Sequence, residues 1–183
     1  MRPTQALLLL FSALTLSLTA SAQYSPLRSF IPPGYTIIGQ ATADIDKDGC
    51  ADRIIVLRNP YEHMNADTTR PLLLLKGNGK GGYRLLARND SVVLCYNCGG
   101  VHGDPFQRVT ASDGRFTVWH FGGSGWRWIR IITFGFDKHT GQFLLTSDCG
   151  RSWHADESNG GTPITHRPED FRRITFTQFS YAR

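Results

Sequence analysis

Closely spaced carboxylates between positions 44 and 52 are the residues in this chain best suited to chemistry. Asp44, Asp46 and Asp48 recur at every second position, Gly49 follows the third, and Asp52 closes the segment. Calcium takes six to eight hard oxygen ligands, and a glycine at this position permits the sharp turn that brings them together. The spacing predicts a structural calcium site, whose ligands are the side chains of Asp44, Asp46, Asp48 and Asp52 and the carbonyl oxygen of Cys50.

An acidic surface turn without metal is the alternative interpretation of this segment. Four carboxylates so close together would repel one another unless a cation neutralised them. An EF-hand is not predicted, because the twelfth position counted from Asp44 is Ile55, where an EF-hand has a bidentate Glu. The residues on either side are also typical of strands rather than helices.

The same loop resembles the calcium loop of FG-GAP or VCBS-type repeats, which occur in integrin-like β-propeller blades. The resemblance implies ligands at the five positions given above, followed by an apolar strand over 53–57. The segment 72–85 is similar to the second half of such a blade. The resemblance covers about 50 of the 183 residues. Only one copy is present, whereas a propeller needs at least four blades, so the resemblance implies no architecture beyond this unit.

Four cysteines, Cys50, Cys95, Cys98 and Cys149, provide a second group of reactive side chains. An even number favours disulfides in an oxidising compartment, which the amino-terminal segment described below predicts. Three pairings are possible, and the preferred one joins Cys95 to Cys98 and Cys50 to Cys149. A redox pair and half of a zinc site are the alternatives for Cys95 and Cys98, but Gly99 and Gly100 after a strand do not predict the helix start of a redox motif.

His102, Asp104 and His120 are the candidates for acid/base catalysis. The alternative is a structural role, because isolated His and Asp residues beside Gly and Pro more often form turns and hydrogen bonds. Trp126 and Trp128 are candidates for a contact surface, since aromatic rings flanked by polar groups suit a sugar or a protein partner. The alternative places both indoles in the core.

The elements that must position these residues are short runs of β-branched and aromatic residues separated by Gly, Asp and Asn clusters. This pattern predicts an all-β fold, a small antiparallel meander or sandwich-like domain, or a partial propeller-like one. Strands are expected near 35–43, 52–58, 71–76, 83–88, 91–95, 107–111, 115–121, 126–136, 142–147 and 171–179. In the strand 126–136 both faces are largely apolar, which predicts a central strand covered on both sides.

The amino-terminal segment predicts export. Arg2 precedes an apolar run that closes on Ala20-Ser21-Ala22, which is the arrangement of a cleavable Sec-type signal peptide over residues 1–22. No Cys stands at the cleavage point to accept a lipid. We therefore expect a periplasmic or secreted protein without a membrane span, with a leader at 23–33 and one domain at 34–183.

Two further resemblances are local. The segment 146–153 resembles the Asp-box hairpin of sialidase-like propellers, where the box is a folding element, with an Asp that orders the turn and a Trp that packs. The combination of Cys95-x-x-Cys98, Gly103 to Phe106 and Gly122 to Trp128 resembles uncharacterised exported proteins of Gram-negative bacteria. The second resemblance implies only that the protein is exported and gives no information about its activity.

Composition limits the function further. The net charge is +5, with basic residues scattered along the chain, whereas nucleic-acid readers usually concentrate charge on one face, so no nucleic-acid partner is expected. The sequence predicts a non-enzymatic, calcium-stabilised binding or structural module of the cell envelope, with a glycan or protein partner. The alternative is an envelope glycan or peptide hydrolase using His102, Asp104 or His120. Neither the ligand nor the oligomeric state follows from the sequence.

Overall fold

Two antiparallel sheets form the framework of the molecule. The computed structural model describes residues 23–65, 68–157, 161–166 and 173–181. The first sheet has the order β1-β2-β3-β4 and the second β5-β6-β7-β8-β9, which confirms the predicted all-β fold. The strands are β1 Thr36–Ala43, β2 Asp52–Arg58, β3 Leu72–Gly77, β4 Tyr83–Asn89, β5 Phe106–Ser112, β6 Arg115–Gly123, β7 Trp126–Asp137, β8 Gln142–His154 and β9 Thr162–His166.

Each sheet is a meander because its strands are joined by turns whose residues adopt positive φ. Gly114 between β5 and β6 has φ 71°, and Gly141 between β7 and β8 has φ 68°. Glycine adopts this conformation without the Cβ clash that other residues suffer. The antiparallel arrangement predicted from the Gly, Asp and Asn clusters is confirmed at these positions.

The core lies between the two sheets. Ile54 and Leu72 of the first sheet share one cluster with Phe116 and Phe134 of the second, all without solvent exposure. Phe176, in the 3-10 helix Phe176–Gln178, completes this cluster with edge-on contacts to Phe116 and Phe134. Each such ring contributes about 1.5–3 kcal/mol by its removal from water, so the pairing of the sheets is mainly hydrophobic.

The outer face of the first sheet is also apolar, and the segment before β1 covers it. Ile55, Leu57, Leu73 and Leu75 are buried beneath a small group of residues from this segment: Leu27, Phe30, Ile31 and Tyr35. The 3-10 helix Leu27–Phe30 supplies two of them. Residues within the predicted leader therefore pack on the sheet as part of the fold.

Two predicted strands are wrong. The segment 91–95 is not a strand, because the side-chain oxygen of Asn89 accepts the N–H groups of Ser91 at 2.6 Å and Val92 at 2.8 Å and bends the chain after β4. In 171–179, the described part from 173 onward contains the 3-10 helix in place of a strand. The strand β9 is not among the strands expected from the sequence, because it is too polar to give a periodic signal.

The Asp-box-like segment forms no hairpin. Residues 146–153 lie inside the single strand β8, which pairs with β7 along its length. Asp148 receives two hydrogen bonds from Arg130, at 2.8 and 2.5 Å, and orders no turn. Trp153 packs at 6.3 Å from the ring of Phe121.

The predicted signal peptide, residues 1–22, lies outside the described residues. Among the residues that the structure covers, no helix combines the length and the apolar character needed to cross a membrane. Export and compartment therefore remain predictions.

Candidate functional site

The loop between β1 and β2 gathers three of the predicted calcium ligands. One carboxylate oxygen from each of Asp44, Asp46 and Asp48 lies within 4.8 Å of the others. Asp44 holds the loop in shape by accepting the N–H groups of Asp48 at 3.0 Å and Gly49 at 2.8 Å. Gly49 has φ 89°, as the sharp turn requires. The three carboxylates therefore converge, as the spacing predicts.

An amino group from the neighbouring hairpin lies against these carboxylates. The Nζ of Lys76, on β3, contacts Asp46 and also lies 2.7 Å from Asp48. The Lys76 side chain is only 15% exposed, so the contact is strong for a pair near the surface. Lys76 thus supplies the positive charge that the acidic loop requires in this structure.

The protonation equilibria of these groups reflect the ion pair. Burial would lower the pKa of Lys76, but hydrogen bonds to Asp46 and Asp48 outweigh that effect and raise it above its ordinary value. The hydrogen bond from Lys76 lowers the pKa of Asp48, and the backbone N–H of Cys50 lowers it further. Both partners are therefore fully charged at neutral pH.

One carboxylate oxygen of the loop has no partner among the described residues. The Oδ1 of Asp46 is buried, and no hydrogen-bond donor reaches it. A buried carboxylate oxygen without a donor is costly, and a cation would satisfy it. The donor set, three carboxylates of which one has an unpaired oxygen, fits a hard cation such as calcium.

The side chain of Asp52 does not join the converging group. Asp52 is fully buried and accepts three backbone N–H groups, from Ile45 at 3.0 Å, Asp46 at 3.3 Å and Gly77 at 2.9 Å. Burial raises the pKa of Asp52, and these N–H groups oppose the rise. In this structure Asp52 connects the loop to β3, and the side chains that converge are those of Asp44, Asp46 and Asp48.

One of the two expected disulfides is present. Cys95 and Cys98 are bonded in a tight loop, as predicted. Cys50 and Cys149 are both free thiols, so the predicted long bridge is not formed. The reason is geometric. Cys50 precedes β2 in the first sheet. Cys149 lies on β8 of the second sheet, opposite Ile131 of β7, and its side chain points away from the first sheet.

The three acid/base candidates do not meet in an open site. His120 points into the core and is 1% exposed. The ring of His102 packs 4.8 Å from the ring of Phe121. Phe121 follows His120 on β6, so its side chain points to the opposite face of the sheet from that of His120. Asp104 directs both carboxylate oxygens to Arg70.

A buried ionic cluster around Arg70 was not predicted. Arg70 has no solvent exposure and makes paired hydrogen bonds to Glu62, both at 2.8 Å, and to Asp104, at 2.6 and 2.9 Å. Burial would lower the pKa of Arg70, but its bonds to the two carboxylates raise it above its ordinary value. The cluster joins the loop before β3 to the loop that contains the disulfide. A single Arg in a polar stretch gives no sequence signal of such a role.

His120 leads to a prediction about pH. Burial, together with the positive charge of Arg130, lowers the pKa of His120 to about 3. An unfolded chain binds a proton at this residue near pH 6.5, while the folded protein does not. Acidification therefore removes about 1.4 kcal/mol per pH unit below about 6.5, or about 2 kcal/mol at pH 5.

Urea unfolding of the wild type and His120→Gln at pH 7.5 and pH 5 measures this effect. We expect the variant to lose about 2 kcal/mol less than the wild type between the two pH values. Substitution of the exposed His139 by Gln is the matched control and should leave the difference unchanged. Equal acid sensitivity in the wild type and His120→Gln would contradict the prediction.

The two tryptophan candidates lie in different surroundings. Trp126 is 62% exposed at the start of β7 and has an edge-on contact with His154 at 5.5 Å. Trp128 is half-buried, and its ring lies so close to Gly122 that a Cβ there would be 2.6 Å from it. Only Trp126 is freely available for contact.

Comparison of this chain with known protein families, curated proteins and solved structures finds no match. Its function must therefore be argued from its own residues.

Proposed function

We propose that this protein is an exported, non-enzymatic binding or structural module whose β1–β2 loop binds calcium. The observation that carries the proposal is the buried and unpaired Oδ1 of Asp46, within a group of three carboxylates. The four-stranded meander that contains the loop also has the strand arrangement of a single propeller blade, which is compatible with the FG-GAP-like interpretation. The predicted signal peptide supports export. Export would expose the loop to extracellular calcium, which suits a weak structural site.

Calcium would act here by stabilisation. Asp44, Asp46 and Asp48 would supply the carboxylates that hold the ion, and the Nζ of Lys76 would have to withdraw from Asp46 and Asp48. Because the loop connects β1 to β2, binding would tie the start of β2 to the end of β1. No reaction step is assigned to the metal.

The hydrolase alternative has less support from the geometry. His120 is buried with a low pKa, and both oxygens of Asp104 are paired with Arg70. A general base must reach the proton that it removes. Among the described residues, these candidates do not line a common cleft.

Thermal melting in calcium and in EDTA tests the proposal. At a calcium concentration one hundred times the Kd, binding adds about 2.7 kcal/mol to the free energy of unfolding, which corresponds to roughly 5–10 °C for a domain of this size. Asp46→Asn should abolish the shift. Asp90→Asn, which removes an exposed partner of Arg88, is the matched control and should retain it. Equal melting temperatures in calcium and EDTA would refute the metal site.

A further inference from the structure

The outer face of the second sheet differs from that of the first, because no described residue forms a layer over it. In β6, the residues that face the core are buried, whereas Trp119 and Phe121 on the opposite face are only half-buried. In β7, the same face carries Ile129 and Ile131, which pair with Phe121 and Trp119. The apolar two-sided pattern of β7 is thus covered on one side by the core, whereas on the other side the described residues make only local contacts, such as that of His102 with Phe121.

Arginine side chains are interleaved with these apolar residues. Arg108 lies opposite Trp119 and stacks over its ring at 4.3 Å. Arg127 lies opposite Trp153, and Arg151 lies opposite Ile129. We name this surface the aromatic–arginine face, defined by Trp119, Phe121, Trp153, Arg108, Arg127 and Arg151.

The positive charge of this face is not balanced within the described parts of the chain. None of the three arginines forms an ion pair there, whereas the core-facing Arg130 pairs with Asp148. On the same side of β7, the first acidic side chain is Asp137, six residues beyond Ile131 and therefore about 20 Å along the strand. Asp137 bonds Thr140 in its own turn.

Two hydrogen-bond donors on the face also lack acceptors. The Nε1 of Trp119 and the Nε of Arg127 are both buried without a partner among the residues described. Both groups can only donate, so donors outnumber acceptors on this side of the sheet. The guanidinium groups of Arg108 and Arg151 are exposed, and an occupant that supplies oxygen acceptors and negative charge would satisfy them.

We infer that the aromatic–arginine face binds an acidic polysaccharide, with carboxylates paired to the arginines and apolar ring faces stacked on the aromatic side chains. A guanidinium binds a carboxylate through two parallel hydrogen bonds. Each Arg lies next to an aromatic or aliphatic residue on the adjacent strand, so charge and apolar surface alternate as they do along such a polymer. A second copy of the chain is a poor occupant, because it would oppose arginine to arginine. The inference names the ligand of the binding module proposed above and depends on that proposal.

Affinity electrophoresis of the purified protein in gels that contain hyaluronate or polygalacturonate tests the inference. We expect retardation in at least one acidic polysaccharide, none in neutral dextran, and weaker binding as NaCl rises. Arg127→Gln with Arg151→Gln should lower the affinity at least tenfold. The control, Arg28→Gln with Arg84→Gln, makes the same charge change on the four-stranded sheet side of the molecule and should bind as the wild type does.

Three results would overturn the inference: no binding to either acidic polysaccharide, equal loss in the two double variants, or tighter binding of a twenty-residue oligothymidylate than of either polysaccharide. Melting in calcium is measured on the same samples, so that loss of polysaccharide binding with an intact calcium shift refutes the inference alone. Reducing ends are also assayed in the same mixtures. Their enzymatic release would refute the non-enzymatic proposal.

Discussion

Replacement of Arg70 by Met should destabilise the protein by about 3–5 kcal/mol, the loss expected when one partner of a buried ion pair is removed. Arg70 is fully buried, and the side chain of Glu62 is 1% exposed. Without the guanidinium, Glu62 and Asp104 would be left near each other with two negative charges, held only by the 3.8 Å contact of Arg58 with Glu62 and by the backbone N–H of Phe106, 3.0 Å from Asp104. Urea unfolding at pH 7.5 measures the loss.

Matched variants separate the burial of this ion pair from the mere loss of an arginine. Arg88→Met removes a pair with Asp90 in which both side chains are well exposed, so we expect a change of less than about 1 kcal/mol. Adding Glu62→Gln and Asp104→Asn to Arg70→Met should recover part of the stability, because the uncompensated charges are then gone. Equal losses in Arg70→Met and Arg88→Met would contradict this account.

The Arg70 cluster also determines what the disulfide loop can do. The Nη1 of Arg70 lies 3.4 Å from the carbonyl oxygen of Leu94, and the guanidinium lies 5.8 Å from the ring of Tyr96. The loop that contains Cys95 and Cys98 is therefore anchored both by its own bridge and by a buried cation. A structural function for Asp104 explains its position better than a catalytic one.

The parts of the fold that the sequence predicts are those determined by neighbours along the chain. Strands β1 to β7 follow from short apolar or alternating runs and from turn residues such as Gly114 and Gly141, which act locally. The failures arise from side chains that act at a distance or against the pattern. Asn89 bends the apolar stretch 91–95 by capping its N–H groups, and the polar strand β9 is defined by pairing with β8.

The candidate site likewise has features that local sequence predicts and features that depend on distant residues. The convergence of Asp44, Asp46 and Asp48 is encoded by a local spacing and is predictable. The contact of Lys76 depends on the pairing of β2 with β3, which places a residue 30 positions away beside Asp46. The free state of Cys149 depends on the face of β8 from which it projects, and the cysteine count contains no such information.

The second large effect is the loss of stability on substitution of Lys76, which calcium should reverse. In EDTA, Lys76→Gln should lower the free energy of unfolding by about 1–3 kcal/mol, because Asp46 and Asp48 lose their counter-charge in a partly buried site. In saturating calcium the ion replaces that charge, and the variant should be at least as stable as the wild type. Its calcium Kd should also be at least threefold lower, since no ammonium group must be displaced.

Lys47→Gln is the charge-matched control for Lys76→Gln. Lys47 lies in the same loop but pairs at 3.4 Å with the exposed Asp113, so its loss removes the same charge without uncovering Asp46. We expect a small change that is equal in EDTA and in calcium, by thermal melting and by calorimetric titration with calcium. If Lys76→Gln were destabilised equally in both conditions, Lys76 would be a permanent structural partner of the carboxylates and the loop would bind no calcium. A difference confined to EDTA would instead show that the ammonium and the metal compete for the same oxygens.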